Sequence, residues 1–301
     1  MVQFRFLCSR IAHIMRLLSL LIGVVPVLGS KAQRKKVGHD IHLADTFHPW
    51  DNNEGVIKER PGPASPQHRV SQHILGTITQ GSSLDAAIEE FETFSSSEKL
   101  AMSLGHEKGG IIEAAVTRSI VHKKLKSIAF LEFGSHIGDG TLRIIRQLSN
   151  ADSAERCIVF SFESNQQWLG IGTSLVRHVL QNSKTTACQY VPMSLTDIGH
   201  ICDHIEDHYD ISTVQGIFFD HMHANFFDDI KTIQRKNMLG DGTLIIADNA
   251  LVHKREMTDF INYMEVHSSL FQLVNVAKPY SDQVLVSEWK DRKNRHSDDE
   301  L

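Results

Sequence analysis

The chain lacks several things that would narrow its function at once. It has four cysteines in 301 residues, too few for a disulfide scaffold, so an apolar core must supply stability. Its 18 histidines are scattered and form no zinc-type spacing. A net charge of −5 excludes a general nucleic-acid binder. No internal repeat is visible, and the one long apolar run, Leu17 to Leu28, falls short of the ~20 residues that a membrane span needs.

That run follows Arg5, Arg10 and Arg16, and Val27 and Gly29 suit the small-residue positions before a cleavage point. Residues 1–29 therefore read as a secretory signal peptide cut after Gly29. Left uncut, the segment is a signal anchor, and only then does the chain contact a membrane. The chain ends in Asp298-Asp299-Glu300-Leu301, similar to a signal for retrieval to the endoplasmic reticulum. Together the two ends predict a protein of the endoplasmic reticulum lumen. Residues 30–65 are polar, with Pro61-Gly62-Pro63, and read as a linker. Residues 66–290 form the folded domain, and 291–301 a polar tail. Once the leader takes Cys8, three cysteines remain (Cys157, Cys188 and Cys202), so at least one has no partner within the chain.

From Gln67 the apolar spacing is helical. Val70, Ile74, Leu75 and Ile78 share one face, and Leu84, Ala87, Ile88 and Phe91 share another after a break at Gly81. Ser82 or Ser83 caps the second helix, and a third spans 108–122. Strand-like runs then alternate with helices: strands near 127–133, 157–163, 187–193, 214–219 and 242–247, helices near 139–149, 165–181, 195–208 and 225–238. A final helix near 254–267 precedes two runs at 270–277 and 283–289, close enough to pair antiparallel. This predicts an α/β, Rossmann-like, doubly wound sheet of seven strands, mostly parallel with an antiparallel terminal strand and helices on both faces.

Ligands bind beyond the carboxyl ends of such strands. Asp220 stands at the end of Val214–Phe219, and Asp248 and Asn249 at the end of Thr243–Ala247. Three oxygen donors there suit a hard cation such as Mg²⁺. The turn from Gly134 through Gly138 and Gly140 to Thr141 lets backbone approach a ligand at a helix N-terminus. Its spacing, Gly-x-x-x-Gly-x-Gly, is not that of dinucleotide enzymes. Glu163 ends the second strand, where an acidic residue accepts from both ribose hydroxyls. Turn and carboxylate together suggest an adenosyl cofactor without a pyrophosphate.

Four blocks carry a more specific likeness: Met102-Ser103-Leu104-Gly105-His106-Glu107-Lys108-Gly109, Glu132-Phe133-Gly134, Phe219-Asp220-His221 and Ala247-Asp248-Asn249. With them, residues 67–290 resemble the catechol O-methyltransferase family, which uses S-adenosylmethionine and Mg²⁺. The resemblance implies Asp220, Asp248 and Asn249 as metal ligands and Glu163 as the ribose partner. It also implies Gly134, His136, Gly140, Thr141, Ser194, Asp220 and His221 along the cofactor, and Met102 and Leu104 near its methionine part. The implied acceptor is a catechol-like small molecule, beside Leu100, Met222 and Asn249. The family's general base is a lysine three residues after the first metal Asp. Here that position is His223, either a substitute base or a surface histidine in a site that has lost its best base. Other departures concern the acceptor wall, where Leu100 and Met222 replace two tryptophans and His253 a proline; along the cofactor, Gly140 stands for a serine, with Thr141 adjacent, and Leu195 for a glutamine beside Ser194. No counterpart of the carboxylate that holds the second hydroxyl is evident near Pro279 to Asp282. A binding or assembly protein of the secretory pathway on the same scaffold is the competing reading.

Overall fold

Parallel strands covered on both faces need apolar side chains at nearly every position, and the central strands have them. Along Ser127–Phe133, Phe130 points to one face and Leu131 to the other; along Val214–Phe219, Phe218 and Ile217 do the same. In the computed structural model, which describes residues 65–100, 102–183, 188–277 and 281–291, these strands lie at the centre of one seven-stranded sheet. The expected leader, linker and tail fall outside the described residues, apart from Ser65 and Asp291 at their inner ends. Among the described residues no helix is long and apolar enough to cross a membrane.

The strands are β1 Ser127–Phe133, β2 Arg156–Glu163, β3 Gln189–Ser194, β4 Val214–Phe219, β5 Leu239–Ala247, β6 Ser268–Val276 and β7 Asp282–Trp289. Their order is β3-β2-β1-β4-β5-β7-β6. β1 to β5 run parallel, and β7 pairs antiparallel with both β5 and β6. The helices are α1 Pro66–Thr77, α2 Leu84–Ser97, α3 Gly105–Ser119, α4 Asp139–Leu148, α5 Gln166–Asn182, α6 Ile198–Tyr209, α7 Phe226–Arg235 and α8 Thr258–Val266. Residues of α1 to α5 form one core with one face of the sheet, including Ile112, Ile145 and Val176. Residues of α6 to α8 form a second core on the other face, including Ile205, Ile230 and Phe260.

Local chemistry sets the boundaries. Ser83, rather than Ser82, caps α2 by accepting from Ala86 N at 3.0 Å. Asp197 caps α6 by accepting from His200 N, so this helix begins at Ile198 and not at 195. β5 starts three residues before the expected 242, because Leu239 pairs with Val214 across a register shift. The last helix begins at Thr258 rather than 254, since residues 251–257 turn back over the strand ends. Cys157 and Cys188 form a disulfide at the amino ends of β2 and β3, and Cys202 is free and buried.

One charged side chain is among the largest buried groups. Arg143 of α4 is 1% exposed and donates to Asp139 (2.8 Å), to Glu113 of α3 (3.2 Å) and to Glu92 of α2. Gly109 of α3 leaves room for it, since a Cβ there would lie 2.2 Å from the guanidinium. Asp139 turns its other oxygen to Ser103 Oγ (3.0 Å) and Leu104 N (3.1 Å). Three helices and the loop before α3 thus share one network. Removing one member of a buried ion network costs roughly 3–5 kcal/mol, because the partners stay buried without compensation. Arg143→Ala is expected to lose stability of that order in urea unfolding at pH 7.

Candidate active site

The strand order reverses direction between β1 and β4, and a cavity of about 410 Å³ opens beyond their carboxyl ends, where such crevices form. Gly134 makes the junction possible. Its φ is +95°, and a Cβ there would lie 2.2 Å from the Asp220 carbonyl oxygen. With no side chain in the way, Asp220 N donates to Phe133 O at 2.8 Å, so the glycine turn and the carboxylate-bearing turn meet.

On the β1–β2 side, Gly134, His136, Glu163, Ser164 and Trp168 line the cavity. Glu163 accepts from His136 N and Asn165 N, both at 2.8 Å, which fixes its carboxylate at the rim. His136 takes a left-handed backbone (φ +48°), and its ring meets Trp168 edge-on at 4.8 Å. Burial lowers its pKa to about 4, so it is neutral at physiological pH. Met102 and Leu104 close this side from the loop before α3.

On the β4–β5 side stand Asp220, His221, Met222, His223, Asp248 and Asn249. Lys108 of α3 reaches in among them. Its ammonium donates to Asp248 Oδ2 (2.9 Å) and Asn249 Oδ1 (2.7 Å) and pairs with Asp282 Oδ2 (2.9 Å). Burial opposes the Lys108 charge, but Asp248 and Asp282 outweigh it and raise its pKa. Burial pushes the Asp248 and Asp220 carboxyls up, and the Asp248 charge pushes Asp220 further. Asp248 Oδ1 is buried without a hydrogen-bond partner. Asp248 and Asp282 share one ammonium, and Asp220, whose ionisation burial and Asp248 oppose, would ionise more readily beside a further cation. His221 is held by Asp229 at 2.7 Å. His223 Nε2 sits 3.1 Å from Asn249 Nδ2, and burial, then the neighbouring His253, lowers its pKa to about 4.

Four expected residues do not line the cavity. Leu100 packs in the core at 7% exposure and is not among the residues that line the cavity. Ser194 lies beside the cavity and accepts from Gln166 Nε2 at 2.8 Å. Thr141 is fully buried and donates to Glu132 at 2.5 Å. Gly140 lies under the same carboxylate: a Cβ there would be 2.4 Å from Glu132 Oε1. Conversely, Lys108, Ser164 and Trp168 were not singled out from the sequence, although Lys108 lies within a recognised block. Asp282 binds Lys108 and the backbone N–H groups of Leu251 and Val252, so it braces the loop after β5 rather than facing an acceptor.

Glu132 is also new. It is 1% exposed and accepts from Thr141 and Ser161, yet burial outweighs these bonds and raises its pKa to about 7. The unfolded chain releases this proton near the ordinary 4.5, the folded chain only near 7. Its contribution to stability is therefore complete below about pH 4.5 and falls away as pH rises through 7. The loss amounts to roughly 3 kcal/mol. Glu132→Gln is expected to gain on the wild type by up to that amount between pH 5 and pH 8 in urea unfolding. A difference that does not change with pH would rule this out.

No protein-family model matches the chain. It is 22% identical over 205 residues to catechol O-methyltransferase of Bos taurus, covering 68% of each chain. It is 23% identical over 215 residues to catechol O-methyltransferase B of Danio rerio, covering 69% of this chain and 73% of that one. Among solved structures it is similar to the O-methyltransferase from Bacillus cereus in complex with SAH, with a TM-score of 0.51 and 17% identity over 74% of this chain and 97% of that one. It is also similar to the O-methyltransferase TomG from Streptomyces achromogenes in complex with SAM, with a TM-score of 0.51 and 10% identity over 74% and 96%. The likeness is thus one of sequence over about two thirds of the chain, and of fold.

Proposed function

We propose that this S-adenosylmethionine-dependent O-methyltransferase, a relative of the catechol O-methyltransferases, uses a divalent cation such as Mg²⁺ to methylate one hydroxyl of a catechol-like small molecule. The observation that carries the cation is Asp248: its Oδ1 is buried without a partner, beside Asp220 and Asn249 in an oxygen-donor set that suits a hard ion. One ammonium, Lys108, faces Asp248 and Asp282, with Asp220 also on the cavity wall, so the cluster attracts further positive charge. When bound, the cofactor supplies the methyl group and the cation lowers the pKa of the acceptor hydroxyl.

The chain's own residues do the rest. Glu163, held by two backbone N–H groups, presents its remaining lone pairs to a ribose. His136 and Trp168 supply an apolar, uncharged wall for the adenosyl group. Leu104, held with Ser103 by Asp139, and Met102 beside them set the distance between cofactor and acceptor, where alignment governs rate. His223 is the base. Its depressed pKa keeps the ring neutral at neutral pH, and Nε2, which accepts from Asn249 Nδ2 beside the cation ligands, gives up that bond to take the acceptor's proton. A base this weak suits only an acceptor hydroxyl that is already acidified. Met222 is 68% exposed and leaves the acceptor mouth open, which accommodates acceptors larger than catechol. We place the protein in the lumen of the secretory pathway; the basic-flanked apolar run, the Asp-Asp-Glu-Leu sequence and the disulfide support this.

Calorimetric titration of S-adenosylmethionine, with and without Mg²⁺ and a simple catechol, tests the reading. Cofactor binding is expected in all cases, and catechol binding only with Mg²⁺. Asp220→Ala is expected to abolish turnover, and His223→Ala to lower kcat by about 10²–10⁴-fold. Absence of cofactor binding under every condition would favour a binding or assembly role on this scaffold.

A further inference from the structure

The loop after β5 brings His253 and Glu256 against His223, which follows β4 and lines the cavity. The His223 and His253 rings lie parallel (8°) with centroids 3.9 Å apart. Glu256 Oε2 is 3.2 Å from His253 Nδ1. One potential ligand atom from each residue lies within 4.8 Å of the other two. The loop is braced: His253 N donates to Asn249 O (3.0 Å), Met257 N to His253 O (3.0 Å), and Asp282 accepts from Leu251 N and Val252 N. Both histidines are half-buried and Glu256 is exposed, so an ion reaches them directly from solvent.

The geometry points to a second cation site here, separate from the oxygen cluster of Asp220, Asp248 and Asn249, that takes a borderline-soft ion such as zinc through His223, His253 and Glu256. Two imidazole nitrogens and one carboxylate suit zinc, whereas hard Mg²⁺ prefers oxygen donors alone. Zinc bonds of about 2.0–2.1 Å put tetrahedral ligand atoms about 3.3 Å apart. The present spacing, within 4.8 Å, must close to that value on binding, through side-chain rotation of His223 and Glu256. Three protein ligands leave the fourth position open toward the mouth.

Filling this site changes His223. Lys108 donates to Asn249 Oδ1 and so fixes the amide with Nδ2 toward the ring. His223 Nε2 then accepts from that Nδ2, and its proton sits on Nδ1. A neutral imidazole has one lone pair, so it serves either Asn249 or the ion. Zinc therefore draws the ring away from Asn249 and from the acceptor hydroxyl, and it acts as a reversible inhibitor. This last step rests on the reading of His223 as the base; the binding step does not.

The test uses the full chain, freed of metal, titrated with zinc against a chelating chromophore in excess Mg²⁺. One zinc equivalent is expected to bind despite the Mg²⁺, with at least tenfold weaker binding in His253→Ala and in Glu256→Gln. Asp220→Asn is expected to keep it. Cobalt in place of zinc is expected to give the visible absorption of a four-coordinate ion. Glu256 is on the surface, so Glu256→Gln keeps the protein folded, which circular dichroism checks. Unchanged zinc affinity in both loop variants, or loss confined to Asp220→Asn, would overturn the site. Zinc is also expected to lower turnover in the wild type and much less in Glu256→Gln; equal inhibition of both would overturn the regulatory step. The binding titration decides the site even where no acceptor is turned over, so it fails or succeeds independently of the methyl-transfer reading.

Discussion

The close approach of Gly134 to the backbone of Asp220 is the constraint on which the site depends. No Cβ fits between them, and the hydrogen bond from Asp220 N to Phe133 O ties the ends of β1 and β4. Because the chain winds outward from these two strands in opposite directions, the crevice opens at this joint. Glu163 comes to one lip from β2, and Asp248 and Asn249 come to the other from β5. A side chain at position 134 would move the wall that carries Glu163 relative to Asp220, Asp248 and Asn249.

The second organising element is charge balance. Lys108 joins α3 to the ends of β5 and β7 through Asp248 and Asp282. Arg143 joins α2, α3 and α4, and through Asp139 it holds the loop of Ser103 and Leu104. Helix α3 is thus pinned at two points, by the half-buried ammonium of Lys108 and by the buried guanidinium of Arg143. Lysine is a compact charge that leaves Asn249 and Asp248 with unused acceptor capacity, whereas arginine fills its carboxylates with a rigid fork. The first arrangement is open to a ligand and the second is closed, which fits a site on one side of α3 and a brace on the other.

Much of this was legible in the sequence. Alternating strand and helix patterns gave all seven strands and the antiparallel pair, because buried parallel strands read as continuous apolar runs. The acidic residues that end strands pointed to the crevice, since position at a strand end does not depend on tertiary detail. What the sequence concealed were contacts set by packing across long separations. Lys108 is 140 residues from Asp248, and nothing local marks it as a partner. Leu100 was expected at the acceptor wall, but a single turn of chain decides whether such a residue faces cavity or core. Glu132 looked like part of a motif, and only its burial beneath Gly140 gives it an unusual pKa. The meeting of His223 and His253 depends on the turns of residues 251–257, of which 254–257 were expected within the last helix.

The cysteines carry a consequence for how the chain matures. Cys157 and Cys188 join at the amino ends of β2 and β3, the edge of the sheet opposite the cavity. Cys202 lies in the second core, and burial pushes its thiol up to about 12, leaving almost no thiolate to attack a disulfide. Among the described residues, oxidation thus has one lasting product, and exchange with the third sulfur is suppressed once the core has closed. The covalent link thus lies at the opposite ends of the strands from the cavity and includes none of the residues that line it.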